Sequence, residues 1–209
     1  MSTVAYQKDL VVLAADKCMQ HALQSLLARH DALGTRSFPS KVFVHPQNDS
    51  AVRSQSPQFL RPHQQRYERA VAIFDYEGSG AESVSAAVLE SEIEAALSRN
   101  GWDNRSRVVV IEPELEAWVW SPSPNVDRVL GWEGRIPSLR QWLVEQNLLD
   151  SIEAKPQRPK EAMEAAMAES EKRWSSAVFR QLGQRVSFSN CRDRSFLRLV
   201  SCLQEWFPA

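Results

Sequence analysis

Short apolar runs alternate with segments of helical periodicity in the first half of the chain. The runs are LVVLAA (10–15), KVFV (41–44), AVAIF (70–74) and RVVVI (107–111). Between them apolar residues recur at every third or fourth position, as in Met19, Leu23 and Leu26, which is the spacing of one helix face. Short apolar strands separated by amphipathic helices are typical of a parallel sheet that is covered on both faces. The pattern therefore predicts an α/β fold with a mostly parallel four-stranded sheet flanked by helices.

The second half of the chain has helical patterns separated by SPSPNVD, WEGRIPS and KPQRPK, and only RVSFS (185–189) resembles a further strand. We therefore predict an α/β core over residues 1–120 and a mainly helical part over residues 121–209, packed on the core as one globular unit. The polar segment 45–69 predicts a long loop with a short helix near residues 64–69. Pro113 is expected at the first position of a helix.

Composition narrows the classes of function. A net charge of −1 over 209 residues gives no global signal for nucleic-acid binding. Three cysteines without a CxxC pair argue against a disulfide framework or a structural zinc site. The apolar runs are too short for a signal peptide or a membrane span, so we expect a cytoplasmic protein with no membrane partner. Five of the seven tryptophans lie between Trp102 and Trp142, which indicates a well-packed core or an interface.

Each of the four apolar runs ends at a side chain that can bind a metal or move a proton. These side chains are Asp16, His45, Asp75 and Glu112. Because the carboxyl ends of parallel strands meet at one edge of a sheet, we expect them to converge on one crevice. Converging carboxylates repel one another unless a cation neutralises them, and hard oxygen ligands suit Mg²⁺ or Mn²⁺. Such ions bind phosphodiesters and activate water.

Two more carboxylates lie close by in the sequence, and structural alternatives stay open for several of these residues. Glu77 is two residues beyond Asp75, and Glu116 is expected one helical turn beyond Glu112. Asp16 also suits the N-cap of the next helix. Asp75 and Glu77 also fit a turn in which the aspartate bonds to its own backbone. Acidic residues around Pro113 would favour a helix dipole.

Two groups of basic residues are candidates for phosphate contacts. One is in KPQRPK and the other is near the start of the last helix; solvated surface charges are the alternative for both. Lys160 is the strongest candidate, because a cation at a helix start opposes the helix dipole. The six residues are Lys155, Arg158, Lys160, Arg192, Arg194 and Arg198.

An acidic residue after the first strand, followed by an Asp-x-Glu pair after a later strand, resembles the Toprim fold. That fold occurs in topoisomerases, primases, recombination-associated proteins and nucleases of abortive-infection systems. The resemblance implies Mg²⁺-dependent phosphoryl transfer, with Asp16, Asp75 and Glu77 as metal ligands. This chain has Asp16 where the family usually has Glu, and Glu77 where it usually has Asp.

The wider sequence is similar to a family of small bacterial proteins of phage-defence operons, including the methylation-associated defence system. The likeness runs from Leu10 to Phe207 through FDYEGSG, VVVIEPELEAWVW, KPQRPKEA and the terminal EWF. It implies a role in antiviral defence, with other defence proteins as partners.

Three hypotheses follow from the residues and the resemblance together. The first is a Toprim-like nuclease or phosphodiesterase acting on DNA, RNA or nucleotides. In it Asp16, Asp75 and Glu77 bind the metal, Glu112 or Glu116 is a further ligand or general base, and Lys160 contacts phosphate. The second is a non-catalytic defence subunit with a degenerate Toprim fold, which docks on a partner enzyme through its tryptophan-rich region. The third is a nucleotide sensor without turnover.

Overall fold

Four parallel strands form one sheet in the computed structural model, which describes residues 6–120, 123–187 and 191–209. The strands are β1 (Lys8–Ala14), β2 (Ser40–Val44), β3 (Tyr67–Asp75) and β4 (Ser106–Ile111). Their order across the sheet is β2-β1-β3-β4. The predicted α/β class, with a parallel four-stranded sheet flanked by helices, is confirmed.

Nine α-helices are described in addition to short 3₁₀ and π turns. In the first half they are α1 (Lys17–Leu27), α2 (His30–Leu33), α3 (Asn48–Leu60) and α4 (Ala86–Leu97). In the second half they are α5 (Pro124–Leu130), α6 (Leu139–Glu145), α7 (Pro159–Glu169), α8 (Ser176–Arg185) and α9 (Arg194–Trp206). None of the helices in the described ranges is both long enough and apolar enough to cross a bilayer.

Carboxylates of α4 bind the backbone along the outer edge of β4. Glu94 accepts a hydrogen bond from the N–H of Val108 (2.7 Å), and Glu90 accepts one from the N–H of Val110 (3.0 Å). An edge strand otherwise presents unpaired N–H and C=O groups that invite pairing with another chain. These glutamates take the place of a neighbouring strand.

Arginines of α9 complete the covering of that edge. Arg198 donates to the carbonyl of Val108 (2.8 Å), and Arg194 donates to the carbonyl of Val110 (3.2 Å). The same guanidinium groups form ion pairs with the glutamates, at 2.8 Å from Arg194 to Glu90 and 2.7 Å from Arg198 to Glu94. We call Glu90, Glu94, Arg194 and Arg198 the edge cluster; it ties the last helix to the sheet.

Helix α8 packs against α1 at very short range. A Cβ atom added to Gly183 would lie 2.6 Å from the carbonyl oxygen of Ala22 and 3.0 Å from Cβ of Ser25, so the contact requires glycine. Arg29, just after α1, donates to the carbonyls of Gly183 (3.0 Å) and Val186 (2.8 Å). These contacts join the C-terminal helices to the α/β core.

The tryptophans of the central region belong to the interior. Trp102, Trp120 and Trp132 are buried, and Trp118 and Trp142 are partly buried. The indole N–H of Trp120 donates to the carbonyl of Pro159 at 2.9 Å. Of the two readings of these aromatics, core packing is therefore the one that the burial supports.

Three predictions about local structure were wrong or fall partly outside the described residues. The segment predicted as a loop contains the 13-residue helix α3. Pro113 does not begin a helix: it follows a cis peptide bond after Glu112, and the next helical turn is a 3₁₀ turn at Leu115–Trp118. In the predicted strand RVSFS, Arg185 ends α8 and Val186 and Ser187 form no strand, whereas positions 188 and 189 lie outside the described residues.

Candidate functional site

Two of the predicted site residues flank the point where the strand order reverses. The chain runs from β1 to one side of the sheet and from β3 to the other, so a crevice opens between their carboxyl ends. Ala14 pairs with Ile73 in the parallel register. Continued by two residues, that register sets Asp16 opposite Asp75.

Asp75 is a half-buried residue whose carboxylate forms no ion pair within the described residues. Its Oδ1 atom is shielded from solvent and has no hydrogen-bond partner among the described residues. Burial raises the pKa of Asp75 well above its usual value, and the charges of Asp49, Glu116 and Asp16 raise it further. The chain does turn at Tyr76–Ser79, but no hydrogen bond joins the Asp75 carboxylate to its own backbone in the described structure, so that part of the turn alternative is wrong.

Asp16 has the structural role that its position suggested and also faces the crevice. Its Oδ1 atom accepts a hydrogen bond from the N–H of Met19 (2.7 Å) and caps α1. Its negative charge nevertheless raises the pKa values of Asp75 and Glu116. The N-cap and a role in the site are compatible, because a carboxylate has two oxygens.

Asp49 belongs to the site, and sequence reasoning missed it. It lies in the first turn of α3, and its carboxylate accepts a hydrogen bond from the N–H of Asp75 at 2.8 Å. Burial raises the pKa of Asp49, while that hydrogen bond opposes the shift. The available signal was the spacing of Val52, Ser56 and Leu60 along one helix face, which Pro57 inside the helix obscured.

Glu114 and Glu116 are both buried and lie after β4. Because the backbone at Glu114 is extended, Glu116 is not one helical turn beyond Glu112, as was expected. Burial raises the pKa of Glu116 to about 7, and the charge of Glu114 contributes to the shift. We call Asp16, Asp49, Asp75, Glu114 and Glu116 the carboxylate cluster.

Lys160 is the main cation acting on the carboxylate cluster within the described residues. Partial burial lowers its pKa, but the charges of Glu116 and Glu114 outweigh that effect and the net shift is upward. Its backbone N–H donates to Glu114 at 2.8 Å. These neighbours explain why a lysine stands at the start of α7, against the helix dipole.

Glu77 is exposed at the rim of the crevice. Its N–H donates to the carbonyl of Pro113 (3.0 Å), which fixes the backbone of the turn. It lines an acidic cleft together with Glu114, Lys160 and Glu164. The structure thus brings Glu77 to the mouth of the site, in a cleft that Lys160 and Arg158 also line.

Glu112 lies apart from the carboxylate cluster. It is exposed, and its carboxylate pairs with Arg194 at 3.1 Å, beside the edge cluster. Arg194 and Arg198, two of the candidates for phosphate contacts, instead bind glutamates and backbone carbonyls of the fold. The solvated-surface alternative was also wrong for these two arginines, because they are structural.

Three of the remaining candidates have local partners. Lys155 donates to the carbonyl of Ala117 (3.1 Å), and Arg158 pairs with Glu161 at 2.7 Å on the surface. His45 is buried, and its Nδ1 atom accepts a hydrogen bond from the N–H of Gln47 (3.2 Å). Burial lowers the pKa of His45, so it is a neutral interior residue at pH 7.

The donor atoms of the carboxylate cluster suit a hard cation. In the ranges 6–120, 123–187 and 191–209, no group of three His, Cys, Asp or Glu side chains is arranged to hold one ion together. The predicted ligand set of Asp16, Asp75 and Glu77 therefore stays a prediction. Mg²⁺ keeps several waters and is often held by only one or two carboxylates plus substrate phosphates, so Asp75 and one neighbour would suffice.

Comparisons with family models, with characterised proteins and with solved structures gave no match for this chain.

Proposed function

We propose that the carboxylate cluster binds Mg²⁺ or Mn²⁺ and that the protein hydrolyses a phosphodiester or a nucleotide. The observation that carries this proposal is the buried Oδ1 atom of Asp75, which lacks a partner while four further carboxylates surround it. Such an arrangement is costly without a cation, and strongly shifted pKa values in a crevice are typical of functional sites.

Asp16 and Asp75 would hold the ion, since they flank the crevice between the two central strands. Glu77 at the rim is the predicted third ligand. When bound, the ion supplies positive charge that stabilises the phosphoryl group and the leaving oxygen.

Glu116 is the best candidate for the general base. A pKa of about 7 matches the need for a group that accepts a proton near neutral pH. It takes a proton from the attacking water as the new P–O bond forms and the bond to the leaving oxygen breaks. Glu112, the other candidate, is paired with Arg194 away from the cluster.

Lys160 remains protonated beside these carboxylates and contacts a non-bridging phosphate oxygen in this proposal. Its raised pKa supports the charged form. A lysine acts there as a point charge that attracts the phosphate to an otherwise negative crevice.

The biological setting in this proposal rests on the sequence resemblance alone. The likeness to Toprim proteins and to small proteins of phage-defence operons supports a role as a nuclease or phosphodiesterase in antiviral defence, acting with other defence proteins. The alternative of a docking subunit placed the interface in the tryptophan-rich region, and the burial of Trp102, Trp120 and Trp132 argues against that surface.

Hydrolysis assays test the proposal directly. Single- and double-stranded DNA, RNA, nucleotides and bis(4-nitrophenyl) phosphate are incubated with the protein and Mg²⁺ or Mn²⁺. We expect hydrolysis of at least one substrate, about a 100-fold loss of rate in Asp75→Asn and in Glu116→Gln, and no loss in Glu92→Gln. Inert wild-type protein under all conditions, or full activity in Asp75→Asn, would overturn the proposal.

A further inference from the structure

The loop after β3 holds an anion, and that anion is a side chain of the protein itself. The Oε1 atom of Glu82 accepts hydrogen bonds from the backbone N–H groups of Gly78 and Gly80, both at 3.0 Å. Gly78 has φ +82° and Gly80 has φ +71°. These left-handed conformations favour glycine, and the N–H groups of both glycines point toward one oxygen, which resembles the anion-binding nests of phosphate sites.

A guanidinium group lies beside the same loop. Arg53 donates through Nε to the carbonyl of Ser79 at 2.7 Å. Its Nη2 atom lies 3.9 Å from the position that a Cβ on Gly80 would occupy. Hydrogen bonds from Glu82's own backbone N–H and from those of Gly80 and Gly78 lower the pKa of Glu82, and the positive charge of Arg53 adds a smaller effect in the same direction.

The backbone of the loop is held independently of the Glu82 side chain. The hydroxyl group of Tyr76 shares its one proton between the carbonyls of Glu82 and Val84. The side chain of Glu82 is exposed to solvent. Rotation of this side chain can therefore vacate the two N–H groups while the loop keeps its shape.

We propose that Gly78, Gly80 and Arg53 form a binding site for a phosphomonoester, and that the carboxylate of Glu82 occupies it until the phosphate arrives. A phosphomonoester carries a charge of about −1.5 to −2 at pH 7, against −1 for a carboxylate, so it competes well for these donors. Arginine and backbone N–H groups are the donors that phosphate groups recognise most often.

The position of this site gives it a place in the proposed reaction. Arg53 lies four residues after Asp49 on α3, and Gly78 lies three residues after Asp75. The site is thus built on the same helix and loop as the carboxylate cluster. It would select a nucleotide or a nucleic-acid end that carries a terminal phosphate; this assignment of the substrate rests on the proposed function, whereas phosphate binding itself does not.

Phosphate binding can be measured without metal or turnover. Calorimetric titrations with inorganic phosphate, a nucleoside 5′-monophosphate and the corresponding nucleoside are carried out in EDTA, with Glu92→Ala as the matched loss of one exposed charge. We expect Glu82→Ala to bind the two phosphates about tenfold more tightly than wild type, Arg53→Gln to bind them at least tenfold more weakly, and Glu92→Ala to equal wild type. The nucleoside alone should not bind.

Two results would overturn the inference. One is equal phosphate affinity in Glu82→Ala and Glu92→Ala, which would show that Glu82 does not occupy a phosphate site; a lower melting temperature in Glu82→Ala alone would then show that Glu82 supports the loop. The other is the absence of phosphate binding in all variants. Because EDTA removes the metal and no hydrolysis is measured, neither result depends on whether the carboxylate cluster is catalytic.

Discussion

Two groups of carboxylates lie at different edges of the same sheet, and they differ in what neutralises them. In the edge cluster the side chain of Glu90 is 2% exposed and pairs with Arg194 at 2.8 Å and Arg198 at 3.3 Å. In the carboxylate cluster, Asp75 has a buried oxygen without a hydrogen-bond partner. Among the described residues, Lys160 is the main cation that acts on these carboxylates.

The difference separates carboxylates that build the fold from carboxylates that await a ligand. Where a buried charge is structural, the fold supplies its counter-charge and its hydrogen bonds, because an uncompensated charge is expensive. Where the counter-charge is missing, the cost persists in the ligand-free protein and points to an external cation.

The largest expected effect is in the edge cluster. Glu90→Ala should lower the free energy of unfolding by about 3 kcal/mol, because the buried N–H of Val110 loses its acceptor and Arg194 and Arg198 lose the carboxylate that they share. Urea denaturation measures the change. Glu92→Ala on the same helix is the control and should stay within about 0.5 kcal/mol of wild type. A small effect of Glu90→Ala would remove the contrast between the clusters.

In the carboxylate cluster, by contrast, removal of a carboxylate is expected to raise the free energy of unfolding. Asp75→Asn should raise the free energy of unfolding in EDTA by about 1–3 kcal/mol, because the isosteric amide replaces a carboxyl group whose ionised form the fold disfavours. The same urea titration measures it. Destabilisation by this variant would show that Asp75 has a compensating partner within the fold.

The stability of the protein should also depend on pH, because Glu116 belongs to the carboxylate cluster that lacks a counter-charge. The pKa of Glu116 is about 7 in the folded protein and near 4.5 when unfolded, so between these values the folded state holds the proton more tightly. Its stabilising contribution is therefore complete below about pH 4.5 and is lost as pH rises to 7, at up to about 1.4 kcal/mol per pH unit. Denaturation of metal-free protein from pH 5 to 8 should show this fall, and Glu116→Gln should reduce its slope.

The smallest effect is expected at Glu112, which the sequence assigned to the site. Its pair with Arg194 is exposed on both sides, with 47% and 44% of the side chains accessible. Such pairs contribute about 0–1 kcal/mol, so Glu112→Gln should barely change stability. It should also leave Mn²⁺ affinity unchanged, whereas a marked loss of affinity would return Glu112 to the site.

The sequence predicted those features that depend on neighbouring residues. Apolar runs of strand length predicted the parallel sheet, and the residues that end them located Asp16 and Asp75. The direction of the backbone between two elements decides which carboxylates face one another. A short stretch of sequence does not show that direction. The extended backbone at Glu114 therefore separated Glu112 from Glu116 without any sign in the sequence pattern.

Other errors arose because the sequence does not show which charges will pair. The sequence suggested that Arg194 and Arg198 are surface cations. In the structure they pair with Glu90 and Glu94 of α4, which lie more than 90 residues earlier in the chain. Asp49 was missed because Pro57 and several polar residues concealed α3.

The most direct test of the central claim is to measure how tightly Mn²⁺ binds to the wild-type protein and to Asp75→Asn. The electron paramagnetic resonance signal of the free ion reports the binding. If a divalent cation supplies the counter-charge that the carboxylate cluster lacks, the wild-type protein binds Mn²⁺ and Asp75→Asn binds it at least tenfold more weakly. Folded Glu90→Gln is the control and should bind Mn²⁺ with the wild-type affinity. Equal affinity of wild type and Asp75→Asn would contradict the account.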